Sequence, residues 1–291
     1  MFLFILYIII TVILTYILLY LINIGVKLLK ILVCIKQVID PEIPASAFRI
    51  NVDSKKVEET VGILPVINGF CENAVEAALR IKDVREANVT ILSIGNKFVT
   101  EVVKKPLSMG ADQLILIEGS EFEDLDPIAT VYVLKSAIER IGDFDLILCG
   151  RQASDWDNAL VPLGLSEMLN LPCITIAQKI EVIDQELRVQ KTLSNGYEII
   201  ESSLPALVTV TNELGDPRYP NLKGIMAASR KIPTIWNAKD LDIDLENLKP
   251  KLKLIDLKIP ISDKKCEIIK GDDDEDTGRK LAIRLREAKL I

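Results

Sequence analysis

From Leu29 onward, short continuous runs of apolar residues alternate with longer segments of helical period. Strands that are apolar throughout, rather than at every second residue, are typical of a parallel sheet that helices cover on both faces. The pattern therefore predicts an α/β fold with a mostly parallel, doubly wound sheet. The predicted buried strands are residues 31–35, 89–94, 114–117, 146–149 and 206–210.

Each predicted helix lies between two of these strands and has apolar residues three and four positions apart. Candidate caps are residues whose side chains accept a hydrogen bond from the first turn, or a glycine after the last turn. The helices are residues 70–81 (capped by Asn68), 97–109 (ending at Gly110), 127–141, and 158–169 (capped by Asp157 or Asn158).

The pattern changes after Pro172, where short strands follow one another directly. They are residues 176–182, 186–190 and 197–202, and Asn195-Gly196 between the last two is a strong hairpin signal. Regular periodicity is then lost until an acidic run, residues 272–276, leads into an amphipathic helix, residues 277–290. We expect a small β-hairpin addition to the sheet, and a C-terminal tail that lies on a partner or on the main domain.

Residues 1–26 carry no charged side chain and are long enough to cross a bilayer as a helix, which takes about 20 apolar residues. Two interpretations remain open. Either the segment is a membrane anchor that leaves the folded domain in the cytoplasm, because Lys27 and Lys30 follow it, or translation starts at Leu28 or Leu29. The predicted domains are a hydrophobic segment, 1–27, an α/β domain, 28–215, and a loop with a tail, 216–291.

Composition excludes several classes of function. The formal net charge of -7 disfavours a nucleic-acid-binding protein, which needs a basic surface. Because the chain has no histidine, it cannot form a Ser-His-Asp or Cys-His catalytic site or an HExxH metal site. The five cysteines form no CxxC pair, so we expect reduced thiols in a cytoplasmic protein, rather than disulfides or a metal site.

The loop after the strand at 146–149 is the strongest candidate for ligand binding. Ligands of open parallel sheets bind at the carboxyl ends of the strands. Here Gly150 and a polar stretch, residues 151–158, precede a helix, whose N-terminal amides favour a phosphate. Neither a Walker A motif nor GxGxxG is present, and the carboxylates of Asp155 and Asp157 are expected to be solvated rather than to bind a metal.

A second distinctive string, residues 212–228, is a proline-rich turn followed by a short apolar helix. Exposed Leu222, Ile225 and Met226 would form an adaptable surface for docking a partner. Packing of the same loop on its own domain is the alternative.

Four motifs, in this order, closely resemble electron transfer flavoprotein beta subunits. They are residues 30–38 (KILVCIKQV), 68–72 (NGFCE), 150–155 (GRQASD) and 217–220 (PRYP), and the resemblance extends from about Leu29 to Ile291. It implies an electron carrier rather than an enzyme, in a heterodimer with an alpha subunit that carries the redox-active FAD. It also implies AMP or a second FAD on this subunit, and flavin dehydrogenases, such as acyl-CoA dehydrogenases, as partners.

The resemblance also implies site residues. Cofactor binding would fall to Cys34, Ile35, Lys36, Asn68, Gly69, Phe70, Cys71, Ile94, Gly95, Gly150, Arg151, Gln152, Ala153, Asp155, Asp157, Asn158, Ala159, Val161 and Gly164. Partner docking would fall to Pro217, Arg218, Tyr219, Leu222, Ile225 and Met226.

The sequence departs from the family in the loop after the strand at 146–149 and at the start of the next helix, where Trp156 replaces a glycine and Leu160 replaces a glutamine. AMP and a second FAD therefore both stay open. A stand-alone nucleotide-binding regulatory protein of the same α/β layout is the alternative function, although the string at residues 217–226 and the long tail argue for a partner.

Overall fold

The computed structural model describes residues 28–58, 60, 62–260 and 266–291. These described residues divide into two compact units, one of residues 28–49, 60 and 62–254, the other of residues 50–58, 255–260 and 266–291. The hydrophobic segment at 1–27, and with it the choice between anchor and altered start, lies outside the described residues. Among the residues that are described, no helix is long and apolar enough to cross a membrane.

The elements of the chain follow the predicted strand–helix alternation. The strands are β1 (Leu29–Cys34), β2 (Gln37–Val38), β3 (Ile50–Asn51), β4 (Lys56–Val57), β5 (Val66–Ile67), β6 (Ala87–Gly95), β7 (Gln113–Glu118), β8 (Leu146–Gly150), β9 (Cys173–Ile183), β10 (Glu186–Leu193), β11 (Gly196–Ser203), β12 (Ala206–Val210) and β13 (Thr234–Trp236). The α-helices are α1 (Gly69–Val84), α2 (Thr100–Val103), α3 (Lys105–Met109), α4 (Pro127–Ile141), α5 (Leu160–Met168), α6 (Leu222–Arg230) and α7 (Asp274–Glu287).

A nine-stranded sheet in the order β11-β10-β9-β12-β8-β1-β6-β7-β13 forms the centre of the first unit. The strands from β9 to β13 in this order pair in parallel, and β10 and β11 extend the sheet as an antiparallel meander. The predicted α/β fold with its hairpin addition is therefore confirmed. The turn between β10 and β11 lies one residue earlier than predicted, since Leu193 pairs with Gly196.

Apolar residues cover both faces of this sheet. Successive strand residues point to opposite faces, so Ile31 and Leu32 of β1 belong to different buried clusters. The Ile31 cluster includes the inner side of α1, and the Leu32 cluster includes residues of α4 and α5. This burial on both faces explains why the strands read as unbroken apolar runs.

Two elements differ from the prediction. The helix predicted at 97–109 is divided into α2 and α3, because Pro106 lies in the first turn of α3 and has no N–H for a continuous helix. The edge strand β13 was not predicted, and its three residues pair with β7 alone.

The second unit contains the β3–β4 hairpin and the tail helix α7. Helix α7 starts three residues before the predicted residue 277, because Asp273 caps it by accepting a hydrogen bond from Asp276 N at 2.8 Å. The acidic run therefore includes the cap and first turn of the helix, where negative charge is favourable. None of the residues of α7 is buried in the described chain.

Candidate functional site

The sheet has a topological switch point between β1 and β8. The chain leaves β1 towards β6 on one side and later returns to β8 on the other, so the loops after β1 and β8 diverge. Three of the predicted groups, Cys34–Lys36, Ile94–Gly95 and the loop that starts at Gly150, follow or end the neighbouring strands β1, β6 and β8. Together with residues 68–71 at the start of α1, they are called the strand-end site below.

Asn68 joins the parts of this site. Its buried side chain donates from Nδ2 to Gln152 O at 2.8 Å and accepts at Oδ1 from Ser154 N at 3.1 Å. Its backbone N–H donates to Lys36 O at 2.9 Å. Asn68 occupies the N-cap position of α1, as predicted, but its side chain makes no cap hydrogen bond and binds the loop after β8 instead.

The loop after β8 is held by its own polar side chains. Lys36 Nζ lies 2.6 Å from Asp155 Oδ2, which links this loop to the end of β1. Gln152 Nε2 donates to Asp157 Oδ1 at 2.9 Å and accepts at Oε1 from Arg151 Nε at 3.1 Å. The Arg151 guanidinium also lies 4.9 Å above the centre of the Phe70 ring, a cation–π contact across the site.

Helix α5 begins in an unusual way. Either Asp157 or Asn158 was predicted to cap it, but Ala159 occupies the N-cap position and provides no side-chain hydrogen bond. Asp157 and Ala159 have φ of 52° and 53°, in the left-handed region that costs a non-glycine residue energy. The first amides of this nine-residue helix are thus left without a side-chain cap at the carboxyl edge of the sheet, an arrangement that fits a phosphate group.

Two glycines of the predicted site have structural reasons of their own. A Cβ on Gly150 would lie 2.8 Å from Cys71 N, because the first turn of α1 packs directly on the end of β8. A Cβ on Gly164 would lie 3.1 Å from Val131 Cγ2, in the contact between α5 and α4. These glycines therefore allow close packing of helices, whatever ligand the site holds.

Three buried thiols lie next to the strand ends. Cys34 of β1 and Cys149 of β8 are paired neighbours in the sheet, and Cys71 lies in the first turn of α1. A hydrogen bond with Cys34 and burial raise the pKa of the Cys149 thiol well above its ordinary value, and burial raises that of Cys71. All five cysteines are free, and burial of Cys71 and Cys149 disfavours their thiolate forms.

Residues 217–226, called the docking segment from here, lie on the surface beyond β12. The exposed fractions of Tyr219, Leu222, Ile225 and Met226 are 94%, 74%, 50% and 52%. Arg218 differs from them, since its guanidinium is bound by Glu76 and Asp83 of α1.

Sequence reasoning did not single out two contacts of the site. Gln37 accepts at Oε1 from Val99 N at 2.9 Å and so ties the end of β1 to the loop after β6. Asn68 binds Gln152, which is 84 positions away. Neither contact has a signal along the chain, because only the folded sheet brings these residues together.

The parallel sheet and its diverging loops place the chain among open α/β folds, whose ligands generally bind at the carboxyl edge of the strands. A family model described as the electron transfer flavoprotein domain matches residues 61–241. The electron transfer flavoprotein subunit beta of Thermoanaerobacterium thermosaccharolyticum is 36% identical over 248 residues, which cover 84% of this chain and 93% of that protein. The subunit beta of Bacillus subtilis is 31% identical over 244 residues, covering 84% and 94%.

A third relative is the caffeyl-CoA reductase-Etf complex subunit CarD of Acetobacterium woodii, 36% identical over 222 residues that cover 75% of this chain and 82% of that protein. The chain belongs to the electron transfer flavoprotein family and is homologous to its beta subunits, which are electron carriers rather than enzymes.

Proposed function

We propose that this chain forms a heterodimer with an electron transfer flavoprotein alpha subunit and relays electrons from flavin dehydrogenases, such as acyl-CoA dehydrogenases, to a downstream acceptor. Membership in the family is the observation that carries this proposal. The relative whose name places it in a caffeyl-CoA reductase complex supports a CoA-linked redox partner. Five unpaired thiols favour a reducing compartment, the cytoplasm.

The strand-end site would hold AMP or a second FAD. In this proposal, the first amides of α5 and the cations Lys36 and Arg151 bind phosphate, while Cys34 and Ile35 line the adenine pocket. AMP would supply structure alone, and a second FAD would supply a further redox centre. Trp156, half exposed in the nucleotide loop, stands where the family has glycine and would bear on the choice between the two.

The chain itself would bind, orient and shield, rather than transfer protons. It has no histidine, and the buried thiols of Cys71 and Cys149 have raised pKa values, so these two stay protonated near neutral pH. Its contribution to electron transfer would therefore be the burial and positioning of cofactors, and the docking of the donor.

Docking would use the exposed apolar side chains of the docking segment. We predict that Leu222→Glu lowers the rate of electron delivery from a reduced acyl-CoA dehydrogenase by about 100-fold, since it puts a charge at the centre of an apolar contact. The variant should still bind the alpha subunit and retain nucleotide. Leu245→Glu is the matched control, because Leu245 is similarly exposed, at 58%, outside the docking segment. Unchanged electron delivery by the Leu222 variant would refute the docking assignment.

A further inference from the structure

One face of helix α1 holds the chain just before the docking segment. Asn73 Nδ2 donates to Gly215 O at 2.9 Å, and Arg80 donates from a guanidinium nitrogen to Leu214 O at 2.8 Å. Both contacts fix backbone carbonyls. Since the two side chains lie seven positions apart on one helix, they lie on the same side, two turns from each other.

Arg218 is bound by the same helix face. Its Nε lies 2.8 Å from Glu76 Oε2, and a terminal nitrogen lies 2.7 Å from Asp83 Oδ2. The Glu76 side chain is only 5% exposed, so this ion pair is largely removed from water, whereas the Asp83 side chain is 55% exposed. A planar guanidinium held by two carboxylates has one orientation, unlike a surface ion pair of a flexible lysine.

The short ion pairs of Arg218 with Glu76 and Asp83 form an ionic cluster, and they favour the charged form of each group. Burial raises the pKa of Glu76, but hydrogen bonds from Arg218 and Arg80 outweigh it, so the pKa lies below its ordinary value. The hydrogen bond from Arg218 lowers the pKa of Asp83, and both carboxylates raise that of Arg218. All three groups are therefore charged at neutral pH.

Two further contacts fix helix α6 itself. Gly224 packs so closely on α3 that a Cβ there would lie 2.3 Å from Ser108 O. After the helix, Lys231 Nζ donates to Ala111 O and Asp112 O, each at 2.9 Å. The segment is thus held before, within and after α6, and the side opposite these contacts carries the exposed Leu222 and Met226.

We propose that Glu76 and Asp83 are positioning residues for partner docking, which hold the apolar side chains of the docking segment in their binding geometry through Arg218. This inference rests on the proposed function, and it assigns Arg218 to the support of the docking surface, rather than to contact with the partner. A nine-residue helix has little stability alone. Without the ionic cluster the partner must order the segment on binding, which weakens association but leaves later electron transfer unchanged.

The test uses the heterodimer with the alpha subunit and an acyl-CoA dehydrogenase reduced by its acyl-CoA. Asp83→Asn removes the charge of the exposed carboxylate, and Arg218→Lys replaces the planar guanidinium with an ammonium group. Glu76→Gln removes the charge of the buried carboxylate. Glu76→Gln should raise the half-saturating heterodimer concentration by about tenfold or more, and the other two variants should raise it by less. In all three variants, kcat should stay within about twofold of the value for the unmodified protein. Hydrogen exchange of amides 219–226 in the heterodimer alone should accelerate.

Glu139→Gln is the matched control for Asp83→Asn, because it neutralises a carboxylate of similar exposure, 58%, that pairs with Lys135 on α4. It should change neither the kinetics nor the hydrogen exchange. If Leu222→Glu stops electron delivery while Asp83→Asn, Arg218→Lys and Glu76→Gln leave both readouts at the values of the unmodified protein, the positioning inference is wrong and the docking surface stands. If Leu222→Glu has no effect, the docking assignment fails first.

Discussion

Asn68 carries more of the candidate site than any other single residue. Its side chain holds Gln152 and Ser154 of the loop after β8, and its backbone N–H binds Lys36 O. Because the residue is 1% exposed, its partners lose their hydrogen bonds without gaining water when it is truncated.

We therefore predict that Asn68→Ala lowers the free energy of unfolding by about 1–3 kcal/mol. It should also lower the fraction of heterodimer that retains nucleotide through purification. Denaturant unfolding and nucleotide content after denaturation measure the two effects. Asn51→Ala is the control, since Asn51 also accepts a backbone hydrogen bond, from Ser54 N, but in an exposed turn. Full nucleotide content in the Asn68 variant would contradict its role in the site.

Asp126 gives the fold a predictable response to acid. Its Oδ1 accepts from Ala129 N at 2.8 Å and caps α4, and its Oδ2 accepts from the amides of Lys251 and Leu252. Burial raises the pKa of Asp126, but these backbone hydrogen bonds outweigh it and hold the pKa below its ordinary value of 3.8. A carboxyl with a lowered folded pKa stabilises the protein above its ordinary pKa, and this stabilisation is lost as the pH falls through the folded value.

Asp126→Asn should accordingly cost about 1–2 kcal/mol of unfolding free energy near pH 7. The difference between the two proteins should narrow as the pH falls below about 4. Urea unfolding of both proteins between pH 3 and pH 7 measures this difference in unfolding free energy. A difference that stays constant down to pH 3 would show that the Asp126 charge does not contribute.

At the scale of elements, the packing of helix α6 on α3 depends on one glycine, Gly224. A Cβ on Gly224 would meet Ser108 O at 2.3 Å, and backbone atoms would have to move to relieve this clash. We predict that Gly224→Ala displaces α6, and destabilises the protein by about 1–3 kcal/mol despite the better helix propensity of alanine.

Gly278→Ala supplies the comparison, since nothing lies within 4 Å of a Cβ on that residue of α7. It should stabilise its helix by about 0.5–1 kcal/mol. Thermal unfolding measures the change in stability, and local hydrogen exchange shows which of the two helices is affected. Equal, stabilising effects of both substitutions would mean that α6 does not pack on α3 as described.

The long elements were predictable because their burial is continuous. An unbroken apolar run such as β1 predicts a strand covered on both faces, and the structure confirms it. Short elements were not: β13 has three residues, fewer than any periodicity needs. Helix α5 starts two residues later than predicted, since the side chain of Asp157 is engaged by Gln152, an interaction between side chains that propensity does not include.

The candidate site was predictable in position but not in its bonds. The rule that ligands bind at carboxyl ends of parallel strands points to Lys36 and the loop after Gly150 without any structure. The links that join these loops, above all those of Asn68, depend on how the sheet folds. The sequence also does not predict that Arg218 binds α1, because its carboxylate partners are 142 and 135 positions away.

At the scale of the whole molecule, the chain presents surfaces that a single subunit leaves uncovered. Tail helix α7 has no buried residue in the described chain, and Tyr197 and Ile199 on the edge strand β11 are about half exposed. Such surfaces are typical of a subunit that is completed by a partner. The family of the chain supplies the class of that partner, an alpha subunit.

The most direct test of the account is to co-express the chain with an alpha-type subunit, purify the complex, denature it, and quantify the released FAD and AMP. We expect a heterodimer that releases either one FAD and one AMP, or two FAD and no AMP, per complex. The first result would assign AMP to the strand-end site, and the second would assign a second FAD. Failure to obtain any flavin-containing heterodimer would contradict the central claim and favour a stand-alone nucleotide-binding protein.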